Sequence, residues 1–262
     1  MVTYLDRILA RHREVAADDE RALTALIAQA SQCAPTRPFA SSLRDAGASG
    51  ELAVISEIKR RSPSKGALNL NLDPAELAAA YEAGGAAALS VLTDVEFFGG
   101  SVVDLRTARA SVSLPVLRKD FTVSPHDVCD ARLMGADCVL LIAAALHQNE
   151  LVELHDLAND VGIEVLVEIH DERELDAALA AGATMVGVNQ RDLISFQVDH
   201  ERAVRMAAVI PDDVVKVAES GVRGAADARD LQRAGYHAVL VGETLVTSAD
   251  PTRTLRELRG AP

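Results

Sequence analysis

A chain of 262 residues that is 49% hydrophobic and 25% charged can bury a large core, which excludes extensive disorder and suits one large domain or two small ones. Its formal net charge of −13 argues against nucleic acid as a partner, because binding to a phosphate backbone depends on clustered Lys and Arg. Three cysteines without a C-x-x-C pair exclude a disulfide framework and a zinc knuckle.

The N-terminal segment, residues 1–50, has a charged start that excludes a secretory signal, and no apolar run in the chain approaches the roughly 20 residues of a membrane helix. Because the cysteines also fit a reducing compartment, we expect a cytoplasmic protein without a membrane partner. The pattern predicts helices from Tyr4 to Ala17 and from Asp19 to Ser31, then a shorter helical turn from Ser41 to Ala46. We expect them to pack against the rest of the domain, either as a lid over its opening or as a plug over its bottom.

Eight short apolar or β-branched runs, each bounded by turn residues, follow this segment. They begin at Ala53, Ala86, Pro115, Cys138, Glu164, Met185, Val214 and Ala238, at intervals of roughly 21 to 33 residues. Each interval has room for a loop, a helix and a return loop. We therefore predict the α/β class and a (β/α)8 TIM barrel forming a single domain over 1–262, with an N-terminal helical extension over 1–50 and the barrel over 51–262. A dinucleotide-binding fold is disfavoured, since no strand is followed by G-x-G-x-x-G.

Capping residues mark the intervening helices. Asp73-Pro74 and Ser124-Pro125 each place an N-cap side chain before a first-turn proline. Left-handed glycines are predicted to close successive helices, namely Gly84, Gly135, Gly162, Gly182 and Gly235. These signals agree with the alternation of strand and helix.

Two charged residues, Glu57 and Lys59, lie at the end of the first predicted strand. Side chains alternate along a strand, so Ile55, Glu57 and Lys59 fall on one face. A carboxylate and an ammonium at the carboxyl end of a strand suggest a site for an anionic substrate. The alternative is a solvated ion pair at a strand end.

Polar side chains also follow four further strands. They are Lys119, Asp120, Glu168, His170, Asn189, Arg191, Glu219 and Ser220. Because a barrel's active site lies at the carboxyl ends of its strands, we expect these groups to share one mouth with Glu57 and Lys59. Two lysines among several carboxylates suit acid–base catalysis, since each group shifts the pKa of its neighbours. Lys216 falls on the opposite face from Glu219, and we expect it to be a surface residue.

Glycine-rich loops after the last two strands point to a phosphate. Ser220-Gly221-Val222-Arg223-Gly224 precedes one helix, and Gly242-Glu243-Thr244 follows the eighth strand. Glycines let backbone N–H groups approach an anion, and a helix start adds a favourable dipole. Ser62 is expected to close this cradle from the first strand.

The sequence indicates neither a metal site nor an activated nucleophile. The histidines are scattered, and no H-E-x-x-H, carboxylate-rich loop or G-x-S-x-G elbow occurs. We expect His170 to be a turn histidine and the cysteines to be packing residues.

Seven motifs, in order along residues 57 to 245, resemble those of indole-3-glycerol phosphate synthases. They are E-I-K-R-R-S-P-S-K-G, F-F-G-G-S, L-R-K-D-F, L-V-E-I-H-D-E, G-V-N-Q-R-D-L, A-E-S-G-V and V-G-E-T-L. The helical start also resembles the segment that precedes the barrel in that family. The resemblance implies a carboxy-lyase of tryptophan biosynthesis that needs no cofactor and converts 1-(2-carboxyphenylamino)-1-deoxyribulose 5-phosphate to indole-3-glycerol phosphate.

The resemblance also implies roles for the exit residues. Lys119 would be the general acid of ring closure, Glu168 the general base, and Lys59 either the carboxylate ligand or the acid of dehydration. Hydroxyl binding and tuning of the lysines would fall to Glu57, Asn189 and Glu219, supported by Arg191 and Ser220. Phe98 and Leu193 would form apolar walls for the aromatic ring, and phosphate would be held by Ser62, Gly221, Gly242 and the backbone of Glu243.

Two other readings compete with this one. The first is another phosphate-binding barrel enzyme, such as a phosphoribosylanthranilate isomerase, although that chemistry favours a Cys and Asp pair. The second is a non-catalytic barrel that binds a phosphorylated metabolite, which has no need for a matched acid and base. The expected partner is in each case a small phosphorylated molecule, and the sequence leaves the oligomeric state open, with a monomer as the expectation.

Overall fold

The computed structural model describes residues 3–48, 50–63, 65–192 and 197–260. Eight parallel strands form a closed barrel in which each strand pairs with its neighbours in the chain and the last pairs with the first. They are β1 (Ala53–Ile58), β2 (Ala88–Leu92), β3 (Val116–Lys119), β4 (Cys138–Ile142), β5 (Glu164–Ile169), β6 (Met185–Asn189), β7 (Val215–Glu219) and β8 (Ala238–Val241). The predicted (β/α)8 barrel is confirmed.

Helices alternate with the strands. Those of the barrel are α4 (Pro74–Gly84), α5 (Val102–Ser111), α6 (Pro125–Met134), α7 (Gln148–Asp160), α8 (Glu172–Ala180), α9 (His200–Ala207), α10 (Ala225–Arg233), α11 (Glu243–Val246) and α12 (Pro251–Arg259). Asp73 and Ser124 cap α4 and α6 as predicted, since their side chains accept backbone N–H groups of the first turn. No helix of the described ranges has the length and apolar character needed to cross a membrane.

The prediction that Gly84 closes its helix in the left-handed conformation was wrong by one residue. Gly85 has φ +88° and is the C-cap of α4, whereas Gly84 is the last helical residue. A Cβ on Gly84 would lie 2.8 Å from Leu255 Cδ2, so this glycine permits the close approach of α12.

Alternation along the odd-numbered strands places apolar side chains in the barrel interior. Ile55, Leu117, Leu166 and Val217 are buried there. A TIM barrel is filled by layers of four side chains from alternate strands, and these four form such a layer. Two residues further along each strand, on the same face, the next layer consists of Glu57, Lys119, Glu168 and Glu219.

The N-terminal extension forms three helices, α1 (Tyr4–Ala17), α2 (Leu23–Ser31) and α3 (Phe39–Ala48). The first matches its prediction. The second begins four residues later than predicted, because the Asp19 carboxylate accepts the backbone N–H of Arg21 and so favours a local turn over a helix. The third is a ten-residue helix rather than a short turn.

The extension covers both ends of the barrel. Phe39 and Leu43 of α3 are fully buried against the interior residues at the amino ends of the strands. The Glu164 carboxylate at the start of β5 accepts the N–H groups of Phe39 at 2.6 Å and Ala40 at 2.9 Å, which satisfies donors at the start of α3. At the opposite end α1 lies beside the mouth. Both alternatives therefore describe part of the extension, since α1 lies at the opening as a lid would and α3 covers the bottom as a plug would.

Candidate active site

The carboxyl ends of the strands surround a cavity of about 530 Å³. Every residue that was assigned a role and lies in the described ranges lines it, whereas His170 does not; the lining residues are Glu57, Lys59, Ser62, Phe98, Lys119, Glu168, Asn189, Arg191, Glu219, Ser220, Gly221, Gly242 and Glu243. Leu193, the remaining candidate, lies outside the described residues. The strand exits thus converge on one mouth, while the role of each residue stays a prediction.

Lys119 occupies the polar centre of this mouth. Its Nζ donates to Glu168 Oε2 at 2.7 Å and to Glu219 Oε2 at 3.0 Å. Both carboxylate side chains are only 3% exposed, so little water screens these contacts. The arrangement places one proton donor between two acceptors in a largely buried position.

The buried charges shift one another's pKa. Burial alone would lower the pKa of Lys119, but the charges of Glu168, Glu219 and Glu57 raise it overall. Burial opposes ionisation of Glu168 as well, yet the charge of Lys119 lowers its pKa to about 2. For Glu219, burial and the charge of Glu168 outweigh Lys119 and raise the pKa to about 7. The mouth therefore contains an ammonium, an ionised carboxylate and a second carboxylate whose protonated form is favoured by burial and by the charge of Glu168.

Asn189 fixes the orientation of Glu168. Its Nδ2 donates to Glu168 Oε1 at 2.9 Å, and its Oδ1 accepts the backbone N–H of Arg191 at 3.0 Å. The Glu168 carboxylate thus has one oxygen on Lys119 and the other on Asn189. A carboxylate held on both oxygens is set in one orientation for proton transfer.

Glu219 lies over the backbone of β6. A Cβ added to Gly187 would overlap Glu219 Oε1, so a larger residue there would displace this carboxylate. Within the part of the chain that the structure describes, Oε1 is buried and has no hydrogen-bond partner. A buried carboxylate oxygen without a hydrogen-bond donor disfavours the ionised form of Glu219.

Glu57 and Lys59 form an ion pair on the wall built by β1. Glu57 is buried, and the Lys59 side chain is 16% exposed, which excludes the alternative of a fully solvated pair. Both lie against Gly242, where an added Cβ would overlap Glu57 Oε1 and lie 3.0 Å from Lys59 Nζ. The eighth-strand glycine thus makes room for the first-strand pair.

The two glycine loops meet at one side of the cavity. Ser220 and Gly221 both have positive φ, +66° and +77°, which turns the backbone after β7 sharply toward the mouth. Thr244 Oγ1 donates to the backbone oxygen of Val222 at 2.7 Å and so ties the two loops together. Ser62, in a short hairpin of Arg61–Ser62 with Gly66–Ala67, lines the same cavity, and Lys65 Nζ of this hairpin lies 3.5 Å from Glu243 Oε1.

The other side of the cavity is apolar. Phe98 and Phe121 pack with ring centroids 6.1 Å apart, and Leu140 and Ile142 of β4 continue the wall. Tyr4, Leu5 and Ile8 of α1 complete it. A flat aromatic group fits between such surfaces, whereas a phosphate belongs on the opposite side.

Sequence reasoning assigned no role to several lining residues. Phe121 follows Lys119 by two positions, so alternation could have indicated it. The contribution of α1 carried no signal, because it depends on how the extension packs. Lys216 was wrongly expected at the surface. It is buried, and its Nζ donates to the Ala207 backbone oxygen at 3.1 Å and to Asp212 Oδ1 at 3.3 Å, which satisfies the end of α9.

His170 follows β5 and packs beside the mouth. Its Nδ1 lies 3.0 Å from Glu174 Oε2, which also accepts the His170 backbone N–H at 2.7 Å. This contact anchors the imidazole at the start of α8. Its Nε2 lies 3.9 Å from Glu168 Oε1, beyond hydrogen-bond distance.

One group in the described ranges has the composition of a metal site, formed by His12, Asp94 and Asp120. The carboxylates already accept protein hydrogen bonds, Asp94 from two backbone N–H groups and Asp120 from Thr93, Arg118 and its neighbour's N–H. The donor set is therefore used within the protein, and the cationic Arg118 beside it disfavours a divalent ion.

The family model described as indole-3-glycerol phosphate synthase matches residues 5–258. Among curated proteins, the "Indole-3-glycerol phosphate synthase" of Nocardioides sp. is 49% identical over 261 residues and covers 99% of each chain. The protein of the same name from Leifsonia xyli subsp. xyli is 51% identical over 241 residues, covering 92% of this chain and 91% of its own.

More distant solved structures share the fold. A 3-hexulose-6-phosphate synthase has a TM-score of 0.64 at 17% identity, with 80% of this chain and 99% of that chain covered. The thiamine phosphate pyrophosphorylase from Pyrococcus furiosus has a TM-score of 0.61 at 17% identity, with 80% of this chain and 94% of that chain covered. At these identities the likeness concerns the barrel alone.

Proposed function

The chain belongs to the indole-3-glycerol phosphate synthase family, acting in tryptophan biosynthesis, and from this premise we propose how its mouth performs the reaction. The observation that carries the proposal is Lys119 held between two buried carboxylates at the centre of the cavity. The substrate is 1-(2-carboxyphenylamino)-1-deoxyribulose 5-phosphate, and the products are indole-3-glycerol phosphate, carbon dioxide and water. In this reading the enzyme is a carboxy-lyase that uses side chains only.

Ring closure requires an acid. The aromatic carbon that bears the carboxylate attacks the ketone carbon, and the ketone oxygen takes a proton from the Lys119 ammonium as the carbon–carbon bond forms. Because its carboxylate neighbours raise the pKa of Lys119, the side chain carries that proton at neutral pH. The same carboxylates stabilise the cation during binding and limit its movement.

Decarboxylation is driven by the return of aromaticity, which the ring lost when its carbon formed the new bond. The bond to the carboxylate breaks, carbon dioxide leaves, and the electron pair restores the aromatic ring. This step needs no proton from the protein. It is favoured by an apolar surrounding, which disfavours the charged carboxylate, and Phe98 and Phe121 line that side of the cavity.

Dehydration requires an acid and a base. The hydroxyl formed from the ketone leaves as water with a proton from Lys59 or from Lys119, and Glu168 removes the proton from the adjacent carbon. The pKa of Glu168 is lowered, so it is ionised and able to act as the base. Overall one proton is consumed, because the substrate carboxylate leaves as neutral carbon dioxide.

The remaining candidates would bind the two ends of the substrate. We assign the phosphate to Ser62, Gly221, Gly242 and the Glu243 backbone, and the aromatic ring to Phe98 and, outside the described residues, Leu193. Between them Glu57, Asn189 and Glu219 would contact hydroxyl groups, with Arg191 and Ser220 in support. The distribution follows the division of the cavity into a polar side with glycine loops and an apolar side. We also propose that residues 1–262 act as one domain, since the extension contacts both ends of the barrel.

The direct test is to add the carboxyphenylamino deoxyribulose phosphate to the purified protein and follow indole fluorescence together with carbon dioxide release. We expect one carbon dioxide per indole product without added metal or cofactor. A folded protein that produces neither product contradicts the proposed reaction, and one that produces indole only after metal addition contradicts the side-chain mechanism.

A further inference from the structure

Helix α1 presents one face to the apolar side of the mouth. Tyr4, Ile8 and His12 are spaced four residues apart, so they share that face. Tyr4 and Ile8 line the cavity, and the Tyr4 ring packs edge-on against Phe97 with centroids 5.9 Å apart. His12 lies one turn further along, where its side chain meets residues that follow β2 and β3.

The His12 imidazole contacts two buried carboxylates. Its Nε2 lies 3.1 Å from Asp94 Oδ2 and 3.8 Å from Asp120 Oδ1. Asp94 follows β2, and Asp120 is the residue after Lys119. Both carboxylate side chains are 4% exposed and that of His12 is 18% exposed, so solvent screens these contacts weakly.

Asp94 uses its second oxygen to shape the aromatic wall. Its Oδ1 accepts the backbone N–H groups of Phe97 at 2.6 Å and Phe98 at 2.9 Å. These bonds hold the turn that places Phe98 in the cavity. One carboxylate therefore connects His12 on the extension with the backbone of a cavity wall, and Phe121 packs on both rings, 5.4 Å from His12 and 6.1 Å from Phe98.

The charges around His12 favour the imidazolium. Burial alone lowers its pKa, but the hydrogen bond to Asp94 and the charges of Asp120, Asp94 and Asp127 raise it overall. Burial likewise opposes ionisation of Asp94, yet His12 and the two backbone donors lower its pKa. A neutral imidazole would not offset the negative charge of these carboxylates.

Three nearby cations pair with carboxylates other than Asp94. On α1 itself, Arg11 pairs with Glu14 and Glu96, and Arg13 pairs with Glu150. From β3, Arg118 donates to Asp120 Oδ2 at 3.0 Å, which leaves the other Asp120 oxygen toward His12. His12 is thus the group through which α1 neutralises Asp94.

We propose that His12 is a positioning residue for the aromatic end of the substrate, holding α1 and the Phe98 turn together through Asp94. This inference rests on the proposed placement of the substrate ring against Phe98. His12 does not line the cavity and reaches this wall through Asp94 and Phe121, so we expect its loss to act mainly on binding of the aromatic ring. When the imidazolium loses its proton, the bond between α1 and the Asp94 turn weakens and the apolar wall loosens.

The test compares wild type with His12→Gln and His12→Lys by measuring KM and kcat from about pH 6 to about pH 9, a range that spans the ordinary pKa of His but not that of Lys. For wild type we expect KM to rise as the pH passes above the pKa of His12. His12→Lys keeps a cation throughout, so its KM stays low at the alkaline end. His12→Gln has a KM about tenfold above the acidic wild-type value across the whole pH range, the equivalent of one charge-assisted hydrogen bond, with kcat within about twofold of wild type.

Phe98→Ala separates the inference from the function on which it rests. If Phe98→Ala leaves KM unchanged, the proposed site of the aromatic ring is wrong. If Phe98→Ala raises KM while His12→Gln does not, the wall is right and the role of His12 is wrong. A His12→Gln variant that loses kcat at unchanged KM also overturns the inference. Should that variant fail to fold, the comparison of wild type with His12→Lys decides alone, and equal pH dependence of KM overturns the inference.

Discussion

Lys119 Nζ lies 2.7 Å from Glu168 Oε2, which joins the carboxyl ends of β3 and β5 across the barrel. The contact is a charged pair in the centre of the mouth, and each partner holds the other in its ionised form. A proton donor and a proton acceptor are therefore present together at neutral pH. This arrangement suits a reaction that needs an acid for ring closure and a base for dehydration.

Replacement of Lys119 by Ala should remove the acid of ring closure. We expect kcat to fall by about 10² to 10⁴, the usual contribution of a general acid or base. Steady-state kinetics of indole formation measures the loss. Lys216→Ala is the matched control, since it deletes another buried lysine far from the cavity and should lower thermal stability with kcat retained. Near-normal kcat in Lys119→Ala contradicts the assignment of the acid.

Replacement of Glu219 by Gln should stabilise the protein at alkaline pH. The folded state raises the pKa of Glu219 from its usual value to about 7, so the folded state binds more protons than the unfolded state between those values. Stability therefore falls as the pH rises through this window and stays reduced above it. We expect Glu219→Gln to exceed wild type in free energy of unfolding by about 1 to 3 kcal/mol at alkaline pH, with no gain near pH 4.

Glu168→Gln provides a control of opposite sign for that measurement. The folded state lowers the pKa of Glu168, so its ionised form stabilises the protein above the usual pKa of a Glu, and this contribution is lost as the pH falls toward about 2. We expect Glu168→Gln to be less stable than wild type at neutral pH, with the difference shrinking in acid. Chemical denaturation across the pH series measures both. If the free energy of unfolding depended on pH in the same way in both variants, the opposite pKa shifts of Glu168 and Glu219 would be contradicted.

Replacement of Gly242 by Ala should displace the wall formed by Glu57 and Lys59. An added Cβ would overlap Glu57 Oε1, so the pair has to move from the cavity. Because small misplacement of catalytic groups costs about 10²-fold, we expect kcat/KM to fall by about that factor. Gly47→Ala, at a helical position of α3 with no atom within 4 Å of its added Cβ, should keep wild-type kinetics. Wild-type kcat/KM in Gly242→Ala is the outcome that contradicts the prediction.

Replacement of Phe39 by Ala should destabilise the barrel from its closed end. The ring is fully buried between α3 and the interior core, so its removal leaves a cavity. We expect the free energy of unfolding to fall by about 3 to 5 kcal/mol, measured by urea denaturation. Val209→Ala, which truncates a side chain that is 52% exposed, should change it by less than about 0.5 kcal/mol. If Phe39→Ala lowered the free energy of unfolding by as little as Val209→Ala, the packing of α3 would not contribute to the core as described.

The barrel and its mouth could be predicted because alternation and position along a strand are local properties of the sequence. Lys119 is two residues beyond Leu117, and Glu168 is two beyond Leu166, so an interior apolar residue identifies the face of the charged one. The end of α4 was misplaced by one residue because Gly84 and Gly85 have equal local propensity. Their surroundings come from the other end of the chain, with Leu255 against Gly84 and Arg259 against Gly85.

The contribution of the extension could not be predicted for a different reason. His12 and Asp94 are 82 residues apart, and no periodicity relates them. Lys216 was misjudged because a lysine is ordinarily exposed, and its burial depends on the Ala207 carbonyl that the end of α9 presents. Contacts between distant segments depend on packing that sequence pattern does not record.

Strand β5 carries a carboxylate with a different task at each end. Glu164 at its start accepts the N–H groups of Phe39 and Ala40, and Glu168 near its finish contacts Lys119. The extension is thus anchored to the same strand that supplies the proposed base. Transfer of this mouth to another eight-stranded barrel therefore requires helices α1 and α3 as well. Without α3 the core is uncovered at the amino ends of the strands, and without α1 the pocket for the aromatic ring lacks one wall.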